Sequence, residues 1–193
     1  MHFKIYGCPV QLDCVSLLTE AYSKFSDIPV TNHLAFEFSQ NRLLTPCCQS
    51  SQWSVHFHVL GDDEFEGGVG GTTFRLSPVT RVISKVTVHI DPFGLNVVTL
   101  KNVLLHEMGH LFLLNHSLYT DSVMGYRVRN RYNPFEKELN ITYDDHLGLV
   151  SSYAWQTHQM YKFNSHDVTS RVMRREHVDD IDLLGDVRIE FDE

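Results

Sequence analysis

An apolar alternation over residues 2–6 predicts a short opening strand. Residues 15–25 then carry Val15, Leu18, Ala21, Tyr22 and Phe25 at helical spacing, which predicts an amphipathic helix. Residues 34–38 alternate again as a strand and lead into a loop of Pro, Cys and Ser. Between 53 and 60, Trp53, Val55, Phe57 and Val59 fall on one face of a predicted strand and His56 and His58 on the other. Those two histidines read as the polar face of a sheet rather than as a metal pair. Residues 61–71 are first acidic and then Gly-rich, and break the pattern. The β-branched run over 82–90 predicts a strand that stops at Asp91-Pro92. Residues 98–113 predict the longest helix, with Leu100, Leu104, Met108 and Leu111 as its core stripe. A last helix opens at Thr142, whose spacing to Asp145 forms a capping box, and carries an apolar run to Tyr153. Strands and then helices, with no repeating βαβ rhythm, predict an α+β fold.

Composition sets outer bounds. A chain of 193 residues suits one domain with some additional chain. No apolar stretch approaches the ~20 residues of a membrane span, so no membrane partner is expected. A net charge of −8 argues against nucleic-acid binding. Much of the acidity lies at 176–193, and the chain divides into a domain over 1–155 and an acidic C-terminal extension over 156–193. The extension reads as solvated or partly disordered, with a docking or autoinhibitory segment as the sharper alternative. Its apolar residues (Ile181, Leu183, Leu184, Val187, Ile189, Phe191) argue against complete disorder. Cys8, Cys14, Cys47 and Cys48 fit no paired metal motif. Cys47 and Cys48 could each pair with Cys8 or Cys14, or all four could be free thiols. Residues 1–18 lack a basic start followed by an apolar run, so no signal peptide is read and no compartment is assigned.

The chemistry concentrates at His106-Glu107-Met108-Gly109-His110, with His116 six residues on. On a helix His106 and His110 share a face, roughly 6 Å apart along the axis. Two imidazoles so placed can converge on one ion at about 2.0–2.1 Å. Glu107 sits slightly round the side, poorly placed as a ligand but able to reach a water at the metal. A helix running straight on would carry His116 about 9 Å further along the axis. His116 can join the site only if the helix stops after His110 and the chain turns back.

At this point the sequence resembles the metzincin metallopeptidases, whose signature is H-E-x-x-H-x-x-G-x-x-H followed by a Met-turn. The departure is Leu113, which stands where the signature has glycine. Either Leu113 takes the left-handed turn, at roughly 1–2 kcal/mol for a residue with a Cβ, or Asn115, which tolerates that geometry, makes the break. The resemblance is closest to the matrix metalloproteinase (matrixin) branch. Ser122-Val123-Met124-Gly125-Tyr126 resembles its Met-turn, and Ile141-Thr142-Tyr143-Asp144-Asp145-His146-Leu147-Gly148-Leu149 its last helix. Gly68-Val69-Gly70-Gly71-Thr72-Thr73 and Val86-Thr87-Val88-His89-Ile90-Asp91 resemble the two strands before the active-site helix. The likeness spans roughly residues 1–155.

It implies a metzincin-like zincin fold: a twisted mixed sheet of about five strands, about three helices, and a Met-turn in a small lower subdomain. It further implies a zinc endopeptidase acting on a protein or peptide substrate, as a monomer. One catalytic zinc would sit on His106, His110 and His116, with Met124 beneath it and Glu107 as general base. Asp144 and Asp145 would cap the last helix, and by resemblance brace the Met-turn and the N-terminal segment. Substrate would lie extended along an edge formed by Gly70, Gly71 and Thr72, beside a pocket wall that includes Tyr126. Arg127, Arg129 and Arg131 alternate in that wall and read as solvated. The branch's structural-zinc motif H-x-D is missing and only His89 matches a ligand of that site, so neither structural zinc nor calcium is expected. The P-R-C-G-x-P motif of the branch's propeptides is also missing, which suggests an enzyme without a zymogen form or one controlled by other means. The rival class is a non-catalytic zinc-binding interaction or decoy protein. Glu107 argues against it, since zinc binding alone does not need that carboxylate; Leu113 argues mildly for it.

Overall fold

The computed structural model describes residues 1–32, 34–40, 53–61, 69–77, 79–80, 82–119, 121–125, 137–162 and 187–191. The fold is α+β, a six-stranded mixed sheet with three helices. Strand β1 (His2–Tyr6) buries Phe3 and Ile5 and exposes His2 and Lys4, the period-two alternation expected of it. Helix α1 (Cys14–Ser26) starts where the Asp13 carboxylate accepts the Ser16 N–H at 3.1 Å, and it buries Leu18, Ala21 and Phe25. A Cys8–Cys14 disulfide ties its first residue to the preceding loop; Cys47 and Cys48 lie outside the described residues.

Strand β2 (Glu37–Gln40) begins later than the alternation at 34–38 suggested. The Leu34 N–H is spent in a turn to the Thr31 carbonyl and its own carbonyl accepts from the Tyr22 hydroxyl, which keeps Leu34 out of the ladder. Strand β3 (Trp53–Phe57) is shorter than 53–60. The His58 N–H still reaches the Ile90 carbonyl, but the Leu60 N–H turns to the Asp91 carboxylate, and Val59, expected on the buried face, is 64% exposed. Strands β4 (Gly70–Leu76) and β5 (Ile83–Ile90) form the sheet's antiparallel pair. The sixth strand, β6 (Val187–Phe191), comes from the stretch that composition had assigned to the acidic extension, and it pairs in parallel with β4. The order is β2-β1-β3-β5-β4-β6.

Helix α2 (Val97–Leu111) is capped by Asn96, whose side chain accepts the Thr99 N–H at 2.9 Å. It is buried almost all round, because sheet residues Val86, Val88 and Ile90 cover it on one side and α1 on another. Each such large apolar side chain contributes about 1.5–3 kcal/mol by leaving water. Buried Asn102 is satisfied by the Lys137 carbonyl and the Leu139 N–H, both at 2.8 Å, which ties the returning chain to the helix. Helix α3 (Tyr143–Lys162) opens with the reciprocal capping box: Asp145 accepts the Thr142 N–H at 2.8 Å and donates its own N–H to the Thr142 hydroxyl.

Candidate active site

The site is assembled where α2 ends. The Leu113 N–H donates to the His110 carbonyl at 2.8 Å, and the Leu114 N–H reaches further back to Gly109 at 3.0 Å. This pair of bonds is the Schellman arrangement, which places the residue after the helix cap in left-handed geometry. That residue is Leu113, at φ 62, and it is the non-glycine residue with positive φ among the described residues. Of the two alternatives left by the sequence, the turn is therefore at Leu113 and not at Asn115. What holds leucine there is its neighbour. Phe112 is fully buried, with its ring 5.0 Å from Phe25 and 5.1 Å from Phe36. The Leu113 side chain is 42% exposed, so the turn sets aside no core volume for it.

The same turn orients a ligand. His110 Nδ1 lies 2.9 Å from the Leu114 carbonyl, and His106 Nδ1 lies 2.8 Å from the Val123 carbonyl. A carbonyl only accepts, so each ring carries its proton on Nδ1 and keeps Nε2 as its lone-pair nitrogen. After the turn, His116 returns with its Nε2 3.2 Å from that of His106. The Ser117 N–H then bonds the Met124 carbonyl at 2.7 Å, closing a short bridge to the Met-turn that fixes the returning chain. Ligand atoms of His106, His110 and His116 all lie within 4.8 Å of one another. Tetrahedral ligands at about 2.0–2.1 Å from a zinc sit roughly 3.3 Å apart, close to the His106–His116 spacing. Two Nε2 lone pairs on buried rings, with a third imidazole nitrogen beside them, form a donor set that fits a cation.

Beneath the rings, Met124 is buried against α2. A Cβ on Gly109 would fall 2.2 Å from Met124 Sδ, so only glycine at that helix position admits the thioether. Asp145 holds the Met-turn by accepting from the Ser122 hydroxyl and from the Val123 and Met124 N–H groups at 3.1 and 3.2 Å. Burial alone would raise its pKa; the bonds from Ser122, Thr142 and Val123 together outweigh that and hold the carboxyl below its usual range. Asp145 thus both caps α3 and braces the Met-turn. Asp144 accepts from the Ser117 hydroxyl, while Met1, in the N-terminal segment that the resemblance tied to this aspartate pair, donates to the Ala35 carbonyl.

Glu107 is 4% exposed and faces β4. Thr72 pairs with Val88 in the ladder and so shares its helix-facing side. From there the Thr72 hydroxyl donates to Glu107 Oε2 at 2.7 Å. A Cβ on Gly70 would come within 2.7 Å of Glu107 Oε1, so the glycine leaves the space that the carboxylate fills. Sequence reasoning placed Gly70, Gly71 and Thr72 along a substrate edge by their main chain. It missed that the Thr72 side chain grips Glu107, and it missed Gly109; a local pattern carries neither, because each depends on register between distant segments. Tyr126 and the arginines at 127, 129 and 131 lie outside the described residues.

The family comparison agrees with this geometry: the matrixin profile matches residues 31–154, which takes in β2 through most of the site. No curated protein matches the chain. With the histidine group, the Met-turn and the capping aspartate all inside or beside the matched span, the chain belongs to the matrixins, a family of zinc-dependent metallopeptidases.

Proposed function

We propose that this protein is a zinc endopeptidase, with zinc on His106, His110 and His116 and with Glu107 as general base. The observation that carries the reading is the carboxylate of Glu107: it stands beside three convergent imidazoles, yet is held by Thr72 rather than turned in as a fourth ligand. A bound zinc supplies Lewis acidity, polarising a carbonyl and acidifying water. Glu107 takes a proton from the attacking water and delivers it to the departing amine. The hydroxyl of Thr72 and the space over Gly70 fix the carboxylate's direction, so that the proton is exchanged at one place. Substrate runs extended along β4, with Gly70 and Gly71 allowing close approach of its main chain. Against the non-catalytic alternative, Leu113 has lost its force, because the turn forms with leucine in place.

The test is cleavage of a peptide library by zinc-loaded protein beside its Glu107→Ala variant. The variant should lose about 10²–10⁴-fold in rate while keeping its zinc by elemental analysis. A variant that cuts as fast as the parent would give Glu107 some other role, and a parent that binds zinc but cuts nothing would favour the interaction protein.

A further inference from the structure

The outer edge of β4 is where the proposed chemistry and the end of the chain meet. β5 covers one edge of β4, and β6 covers the other from Thr72↔Val187 to Leu76↔Phe191. Since β6 stands last in the sheet, β4 would be the edge strand without it. That edge borders the candidate catalytic carboxylate: Thr72, opposite Val187, is the residue whose hydroxyl holds Glu107. An extended peptide brought to Glu107 would seek the outward N–H and C=O groups of β4. Val187–Phe191 already lies along that edge from Thr72 to Leu76, so a peptide entering at Gly70 and Gly71 and continuing past Thr72 meets β6.

We propose that β6 is a displaceable occupant of this edge, a segment of the chain's own C-terminal region that competes with extended peptides for the main chain of β4 and so restrains the site. The proposal rests on the peptidase reading above. It is supported by how lightly β6 is held. Arg188 and Ile189 are exposed, Ile189 at 41%, while Val187 and Glu190 are only half-buried. One side-chain clip is the Arg75–Glu190 ion pair at 2.7 Å, whose side chains keep 44% and 41% of their exposure. Pairs of this kind are weakened by salt and by solvent. β5, on the other edge, is anchored by Val86, Val88 and Ile90 in the core. The strand alternates apolar and charged residues, Val187-Arg188-Ile189-Glu190-Phe191, as an extended ligand of one sheet edge would.

The experiment compares four zinc-loaded chains of 193 residues: the parent, Arg188→Pro with Ile189→Pro, Glu190→Arg, and Glu190→Arg with Arg75→Glu. Successive N–H groups of a strand point to opposite edges, so one of the two prolines must remove a donor to β4. A tethered competitor acts at an effective concentration on the millimolar scale, so the proline variant should show an apparent KM lower by about tenfold or more with kcat little changed. Glu190→Arg should shift KM in the same direction by less, and Arg75→Glu added to it should restore the parent value. A free peptide of residues 187–193 should inhibit the proline variant competitively and the parent far less. The same KM in every chain overturns the proposal and leaves the peptidase reading standing. If no chain cuts any peptide, the peptidase reading fails; binding of the labelled 187–193 peptide to the proline variant but not to the parent then shows separately whether the edge accepts an extended chain. If the proline variant does not fold and Glu190→Arg leaves KM unchanged, β6 is an integral strand and the proposal is overturned.

Discussion

Six of the twelve histidines gather in two places, and the two places are built differently. His106, His110 and His116 come from a helix and the turn behind it; the His110 ring stands at 88° and 87° to those of His106 and His116, which lie near-parallel at 25°. His56 and His89 are register partners on neighbouring strands, with rings stacked 5.8 Å apart at 22°; Tyr6 stacks on His56 at 4.8 Å. His58 Nε2 and His89 Nδ1 share a hydrogen bond at 3.0 Å. Among the described residues, the first group alone brings the ligand atoms of three side chains within 4.8 Å of one another. Neighbouring strands lie about 4.8 Å apart, which sets paired rings side by side; helical i, i+4 spacing followed by a reversal brings them to a point. The convergence of three ligand atoms on one point, more than the number of histidines, separates a candidate metal centre from histidines that only share a sheet face.

The comparison can be broken most severely with metal. Purified without added metal, the parent should hold about one equivalent of zinc by elemental analysis, lost from His106→Ala or His116→Ala on dialysis and retained by His56→Ala and His89→Ala. Two equivalents in the parent, one of them lost with His56→Ala, would make both groups metal centres.

A smaller effect should distinguish the two groups by acid. Burial first, then the nearby His58 and Lys85, push the His56 imidazole down from 6.5 to about 4. The unfolded chain therefore binds this proton more readily than the folded one. The stability that follows is complete above about pH 6.5 and lost as pH falls toward 4. For a half-buried ring, screened by solvent, we expect on the order of 1–2 kcal/mol. Urea unfolding at pH 7.5 and at pH 5 should show less acid sensitivity in His56→Gln than in the parent; equal sensitivity would mean that the stack does not hold His56 neutral.

The smallest effect sharpens the other side. Leu113→Gly should stabilise by up to about 1 kcal/mol by releasing the left-handed strain, with zinc affinity unchanged. Thermal unfolding decides it, and a loss of stability would mean that the leucine side chain contributes more than its backbone costs.

Much of the site was legible because its grammar is local. His106, Glu107 and His110 are fixed by helical spacing alone, and Thr142 with Asp145 by a capping pattern three residues wide. The sequence left two residues to make the turn, and only packing chose: Phe112, locked among Phe25 and Phe36, puts the reversal at Leu113. Val59 read as buried from perfect alternation, but the strand had already turned toward Asp91. Strand β6 was hidden for two reasons. Its partner is far away, Arg75 and Glu190 being 115 residues apart, and its five alternating residues lie within an acidic stretch whose composition suggested a solvated tail. Thr72 was read as part of a main-chain substrate edge, since nothing in its neighbourhood shows that register will aim its hydroxyl at Glu107.

The acceptors that set the ligand rings, the carbonyls of Leu114 and Val123, are both main chain. No side-chain substitution at either position can delete them. The tautomers of His106 and His110 are thus written in backbone shape rather than in residue identity. Such a site tolerates drift in the letters around it so long as the chain keeps its path, and Leu113 in the place of a glycine is one instance of that tolerance. By the same logic its vulnerability lies in changes of path, such as a proline, an insertion or a deletion between the helix end and the Met-turn, that would leave every ligand in place and turn the rings astray.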